Sequence, residues 1–298
     1  MLLPPSHTIT LEAALRDTGS TDLRVRVAAA NALGDVTEPE ERAAAVTALL
    51  PLADDGRPEV RCHALMSLGH LGDERALGPL IERLGDGDAE VRQCAAIALG
   101  ALGDARAFEP LVRGLKEGPP DLRMQAAASL AELAPGRAYD LLIPGIRDED
   151  AEVRATIAQL LGDLEDRRAA GWLADLLEDN SIEVRFEAAS SLAVFRDARG
   201  LDVLLATLDD GDRAHRAYAP LAELGDARAA DAVAKRMRRF FLARAERILA
   251  AGTLLTLAPT HEDAPRAREV LSRAEKSRDP YLRGLAESAT ERHRQDRS

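Results

Sequence analysis

The chain has 298 residues, 46% of them hydrophobic but only 3% aromatic, so it can bury a long core of leucine, alanine, valine and isoleucine with few rings. Its 39 basic and 51 acidic residues give a formal charge of −12, which argues against general affinity for nucleic acid or for anionic membrane surfaces. The opening M-L-L-P-P-S-H-T-I-T has no basic stretch leading into a long apolar run, and no segment reaches the roughly 20 apolar residues that cross a bilayer, so the expectation is a cytoplasmic chain without membrane insertion.

In chain order, Pro4, Pro5 and either Thr8 or Thr10 open a first helix predicted over Leu11–Asp17, and residues 1–22 read as an N-terminal cap. From Leu23 a unit begins that returns through most of the chain. Its Val-Arg or Leu-Arg step recurs at Val60-Arg61, Val91-Arg92, Leu122-Arg123, Val153-Arg154 and Val184-Arg185, each 31 residues after the last. A fixed period of this size marks an array of stacked supersecondary units. An earlier copy at Val25-Arg26 has an altered turn, Thr37-Glu38-Pro39-Glu40-Glu41, and a longer spacing to Arg61.

Within the unit at 88–118, Val91, Ala95, Ala98, Leu99 and Leu102 fall on one stripe of a helix with Asp88 as its cap. Gly103 suits the left-handed residue that closes a helix, and Asp104 can cap a second helix predicted from Ala105 to about Lys116, with Phe108, Leu111, Val112 and Leu115 turned toward the first. Pro79 and Pro110 recur 31 residues apart in that second helix, where a missing amide is expected to bend it. Trp172 takes the corresponding place in a later unit and reads as a packed gap-filler.

One hairpin of this size cannot cover both its faces, so copies must stack. The pattern D-x-x-V-R-x-x-A-A-x-A-L-G-x-L-G-D-x-R-A, from about Leu23 to Arg228, resembles the bacterial HEAT-like repeat, the subtype also found in phycobilin lyases. The resemblance implies an all-α fold, an α-solenoid of stacked helix hairpins with a period of 31 residues. Residues 23–226 form the array. Residues 227–298 read as divergent basic helical repeats and a cap, because they carry a net +6 against −18 for 1–226.

Two arginine columns accompany the apolar ones. Arg26, Arg61, Arg92, Arg123, Arg154 and Arg185 each follow an acidic loop; Arg75, Arg106, Arg137, Arg168 and Arg199 lie just past the turn, and Asp73, Asp104, Asp166 and Asp197 precede four of them by two places. Their translational regularity predicts a ladder of Asp-Arg contacts between successive units rather than a phosphate site. Cys62 and Cys94 are expected as two half-buried thiols, in keeping with a reducing cytoplasm.

After Gly211 the pattern decays, with either Arg213-Ala214 or His215-Arg216 standing for the Val-Arg step. Residues 229–258 read as helical, with Phe240-Phe241 amid basic residues, and a final helix pair is predicted over about Ala264–Lys276 and Pro280–Arg292, whose D-P-Y-L-R-G-L-A again resembles the helix-opening motif. The tail from Arg292 is polar and is expected to fray.

No catalytic constellation emerges. His63 and His70 are seven residues apart on one helix, roughly 10 Å, too far for one ion. Iron-binding HEAT-like deoxyhypusine hydroxylases use several His-Glu pairs, and the one such pair here is His261-Glu262. HEAT-like alkylpurine glycosylases need a cationic groove, which the charge of the array opposes. Neither a metal nor another cofactor is expected.

In a HEAT array the helices carrying the Val-Arg step are expected on the concave side. Opposite their core stripe lie Met66 and His70, Gln93 and Ile97, Met124 and Glu132, Gln159 and Asp163, then Phe186, Ser190 and Val194. This strip is less polar than a face meant only for water, and it reads as a seat for another protein, a helix or a basic peptide. Lys235, Arg236, Arg238 and Arg239 offer a second, basic surface. The expectation is a non-catalytic scaffold or adaptor; the alternatives are a phycobilin-lyase-like subunit acting on a bilin, or nucleic-acid binding through the basic C-terminal helices.

Overall fold

The computed structural model describes residues 9–295 and, among them, shows 18 α-helices and no strand. The expectations for Pro4, Pro5 and Thr8 lie outside the described residues, as do residues 296–298 and the side chains from Arg292 on. The chain is all-α and of the α-solenoid class, and it divides into two compact units, Met1–Val153 and Arg154–Ser298.

In the first unit, α1 (Leu11–Asp17) is capped by the Thr10 hydroxyl, which accepts from the Ala13 amide. Helices α2 (Leu23–Gly34), α4 (Pro58–Leu71), α6 (Ala89–Leu102) and α8 (Pro120–Leu133) pack side by side in sequence order. Against them lie α3 (Pro39–Leu49), α5 (Leu77–Arg83), α7 (Phe108–Glu117) and α9 (Pro135–Leu142). Leu33, Leu65, Leu68, Leu99 and Leu130 from the first set meet Leu49, Leu80, Leu111 and Leu142 from the second in a core closed to solvent.

The period is enforced by close approach. A Cβ on Gly69 of α4 would stand 2.8 Å from the Cα and carbonyl oxygen of Ala98 on α6, so the two helices meet backbone to backbone. Beside such contacts Ser67 donates to the Ala30 carbonyl and Ser129 to that of Ala96, both at 2.9 Å, so each buried hydroxyl is satisfied by the preceding helix.

Gly103 takes φ of 68° as its place at the turn demands, but the second helices start later than expected. A short 3₁₀ turn comes first, Glu74–Ala76 before α5 and Ala105–Ala107 before α7. Pro79 and Pro110 thereby fall in the first turn of their α-helices, where a missing amide breaks no intrahelical bond and requires no bend.

The second unit repeats the plan with α10 (Ala151–Asp163), α12 (Ile182–Val194), α14 (Ala214–Leu224), α16 (Arg244–Leu257) and α18 (Pro280–Gln295) as one set. Their partners are α11 (Ala170–Asp175), α13 (Leu201–Asp209), α15 (Ala230–Met237) and α17 (Ala264–Glu275). Ser191 of α12 donates to the Ala158 carbonyl of α10 at 2.8 Å, and Thr253 of α16 to that of Tyr218 on α14 at 3.2 Å. Trp172 on α11 is half-buried.

One reading of this unit is corrected. Residues 229–258 are not one helical stretch; the chain turns at 238–243 between α15 and α16. A hairpin is required there because α16 must lie beside α14, and Arg247 secures the turn by donating to the Arg239 carbonyl at 2.7 Å. At the decayed repeat, Arg216 sits on the 31-residue period but reaches back to Glu183 and Glu187 of α12 instead of following the Val-Arg pattern. Arg283 restores that pattern on α18, donating to the carbonyl six residues before it, Ser277, at 2.7 Å.

Candidate partner-binding surface

The arginine columns are structural. In the first column, Arg26 holds Asp55, Arg61 holds Asp86, Arg92 holds Asp121 and Arg123 holds Asp148, each joining one repeat to the next at 2.6–2.9 Å. The same guanidinium also closes its own helix start: Arg61 donates to the Asp55 carbonyl, Arg92 to that of Asp86 and Arg123 to that of Gly118. Arg154 holds Asp179 in the second unit.

The second column is chiefly local, with longer links to the preceding repeat, Arg106 to Glu74 at 3.3 Å, Arg75 to Thr47 at 3.2 Å and Arg199 to the Ala170 carbonyl at 3.1 Å. Arg75, Arg106, Arg168, Arg199 and Arg228 grip the aspartate two places earlier, which caps the 3₁₀ turn, and the Arg106 pair pulls the Asp104 carboxyl below its ordinary range. Arg137, with no such aspartate, lies over the Phe108 ring at 3.9 Å. The aspartates of the acidic loops are therefore largely occupied inside the fold, and a charged rim has to draw on exposed carboxylates such as Glu90 and Glu132.

In the first unit, the strip residues stand on three adjacent helices. Met66 of α4, Gln93 and Ile97 of α6 and Met124 of α8 are half-buried, with His70 and Glu132 exposed at the ends of α4 and α8. This is a row of long, partly accessible apolar side chains on a repeat-spaced frame. Beside it, Cys62 of α4 and Cys94 of α6 form a disulfide across a Cα separation of 5.5 Å, and both are buried. The expected pair of thiols is corrected for a geometric reason: helices packed this closely bring those Cα atoms within disulfide range.

In the second unit the strip is different. Gln159 and Asp163 on α10 are exposed, Val194 is 39% exposed, and Ser190 is half-buried with its hydroxyl unpaired. Phe186, expected as an apolar anchor, is only 6% exposed, because the Arg216 guanidinium of α14 covers its ring at 4.1 Å. Arg216 in turn is held by Glu183 and Glu187; its hydrogen bond draws Glu183 below the ordinary carboxylate range, whereas burial pushes Glu187 up. Phe186 is thus a roofed core residue and offers no open seat.

The basic surface also divides. Arg236 is 4% exposed and donates to Glu246 at 2.8 Å, and the Tyr218 hydroxyl donates to the same carboxylate, so Arg236 is removed from the surface by a buried network that sequence alone did not reveal. Burial and the Glu246 charge push the Tyr218 phenol up. Arg238 is engaged by Asp263 and Glu262, leaving Lys235 and Arg239 exposed. His63 bonds Asn31, and His261 bonds Asp231 while accepting from the Asp263 amide, which accounts for the rings weighed as ligands on α4 and in the 258–263 turn.

A family model described as HEAT repeats matches residues 46–131 and 139–219, more than half of the chain. The chain belongs to the HEAT-repeat family. Among solved structures, the Escherichia coli protein YIBA is 18% identical over 86% of this chain and 98% of its own, with a TM-score of 0.58. A chain in the structure of Kap95p bound to RanGDP is 14% identical over 95% of this chain and 47% of that one, also with a TM-score of 0.58. These are likenesses of the HEAT fold and carry no function with them. CpcE and CpcF of phycocyanin lyase from Nostoc sp. PCC7120 reach 22% identity over 92% of this chain and 97% of that one, but their TM-score of 0.46 is too low to argue from. No curated protein matches the chain.

Proposed function

We propose that this HEAT-repeat protein is a non-catalytic scaffold or adaptor that holds another protein on the first-unit strip. The observation that carries the reading is the row Met66, Ile97 and Met124, three long apolar side chains left partly accessible at repeat-related places on neighbouring helices. Such a row matches the side-chain spacing of an amphipathic helix or an extended segment. Glu90 and Glu132 are exposed carboxylates that would favour a basic partner, chiefly by speeding its approach.

The fold is of a kind that also serves in Kap95p, which binds RanGDP, and repeat arrays present extended surfaces suited to macromolecules. No observation favours the bilin or nucleic-acid alternative at this strip. The test is affinity capture from the source cells with the wild type and with Met66→Glu/Ile97→Glu/Met124→Glu, helicity being checked by circular dichroism. Loss of a captured protein from the folded variant supports the reading, and an unchanged set of captured proteins rejects it.

A further inference from the structure

The turn at 238–243 presents the two most exposed large apolar side chains among the described residues, Phe240 at 87% and Phe241 at 93%. The rings meet edge to face, their centroids 4.9 Å apart and their planes at 89°. The turn beneath them is built. Leu242 donates its amide to the Arg239 carbonyl at 3.3 Å, and Arg247 donates to the carbonyls of Arg239 and Phe240 at 2.7 and 3.4 Å. The backbone is thus held in the conformation that turns both rings outward.

Cations surround this wedge. Arg239 and Arg244 are exposed, and neither has an acidic partner among the described residues. Arg244 also borders a hollow of about 350 Å³ with an apolar floor of Ile248, Val270 and Leu282 and with Arg247 and Arg273 on its walls. Two protruding phenyl rings between unpaired guanidiniums match a surface that places apolar material just beneath a layer of phosphates. A nucleic acid fits this tip poorly, because rings at right angles cannot stack on parallel bases. A protein would have to bring a cavity for each ring.

We propose that the 238–243 turn docks the protein on an anionic lipid bilayer, with Phe240 and Phe241 entering the interfacial zone and Arg239 and Arg244 taking lipid phosphates. No spanning segment is involved; among the described residues no helix is long and apolar enough to cross a membrane. The overall charge of −12 does not forbid local attachment, since charges more than about 8–10 Å away are screened at physiological salt and residues 227–298 carry +6. The opposing neighbour is the exposed acidic turn at 209–212, whose Gly211 lines the same hollow as the two rings. Asp209, Asp210 and Asp212 there are the repulsive charges; Asp210 also accepts from the amides of Asp212 and Arg213 and so holds the turn, which makes the other two the ones to change. This proposal is independent of the first-unit strip and survives its failure.

Co-sedimentation of the full chain with phosphatidylcholine vesicles, with and without phosphatidylserine, tests it. The wild type is expected to pellet with the anionic vesicles only, and less at high salt. Phe240→Ser/Phe241→Ser should lower the partition coefficient by at least about tenfold, the loss of two buried rings being larger than the 1.4 kcal/mol that tenfold represents. Arg239→Gln/Arg244→Gln should weaken binding several-fold and flatten its salt dependence, whereas Asp209→Asn/Asp212→Asn should strengthen it. All six side chains are exposed or lie in a turn, so unchanged helicity of each variant is the accompanying control. A wild type that stays in the supernatant overturns the proposal, as does a double phenylalanine variant that pellets like the wild type. Ring-dependent binding of single-stranded RNA without binding to vesicles also overturns it and assigns the turn to nucleic acid.

Discussion

Arg92 of α6 holds Asp121 at the start of α8 through Nε at 2.9 Å and Nη2 at 3.0 Å, while Nη1 donates to the Asp86 carbonyl at 2.8 Å. One side chain thus closes its own helix start and fixes the next repeat. The pair is mostly sheltered, with side-chain exposures of 16% and 18%. Arg92→Ala strands the aspartate and is expected to cost about 2 kcal/mol, read as a lower urea midpoint with an unchanged slope. Arg75→Ala should move the midpoint much less, because its main partner Asp73 is two residues away, its links to Thr47 and the Ala43 carbonyl are long at 3.2 and 3.4 Å, and its side chain is 42% exposed. Equal effects would remove the distinction between the two columns.

Glu165 and Arg196 adopt φ of 52° and 54° at the turn where Gly72, Gly103 and Gly225 adopt 68–69° in other repeats. A side chain in the left-handed region is strained, whereas glycine pays only in unfolded-state entropy. Glu165→Gly should therefore stabilise the second unit by about 0.5–1 kcal/mol. Thermal denaturation checks this, and a lowered melting temperature would contradict it.

Two inter-repeat aspartates, Asp86 and Asp179, set an acid limit. The Asp179 carboxyl lies below its ordinary range because Arg154 bonds it, against the opposing effect of burial. For Asp86, burial pushes the carboxyl up, but the Asp88 amide and Arg61 outweigh it and the net direction is down. A carboxyl depressed in the folded chain contributes stability that is complete above its unfolded value, about 3.9, and is lost as pH falls through the lower folded value. Stability should fall steeply below about pH 4, and Asp179→Asn should make that slope shallower while lowering stability at pH 7. Denaturant midpoints measured from pH 3 to 7 decide this, an unaltered slope in the variant being the adverse result.

Cys62 and Cys94 close a loop with a sequence separation of 32 residues. Protein isolated without reductant and then denatured should show no titratable thiol. Cys62→Ser/Cys94→Ser should lose about 2–4 kcal/mol, as expected for a loop of this length. Two reactive thiols per chain would contradict the disulfide.

How much was legible in the sequence depended on whether a residue's surroundings repeat. The span of α6, the left-handed Gly103 and the Arg92 contact follow from the period, since each copy supplies the same neighbours. Phe186 was misread because the outward offset on α12 treats that helix alone, whereas the atypical Arg216 from α14 covers the ring. Arg236 could not be separated from its basic neighbours without knowing that Glu246 faces it from α16. The turn at 238–243 has no glycine, proline or asparagine to mark it, although a count of 31 from Arg213, the N-cap of α14, lands on Arg244, the first residue of α16.

The most direct measurement is site-specific photocrosslinking in the source cells, with the reactive group at Ile97 on the strip and, for comparison, at exposed Arg113 on α7. The account predicts a discrete crosslinked protein from position 97, absent from position 113 and abolished by Met66→Glu/Met124→Glu. No adduct at 97, or the same adducts from both positions, would contradict it.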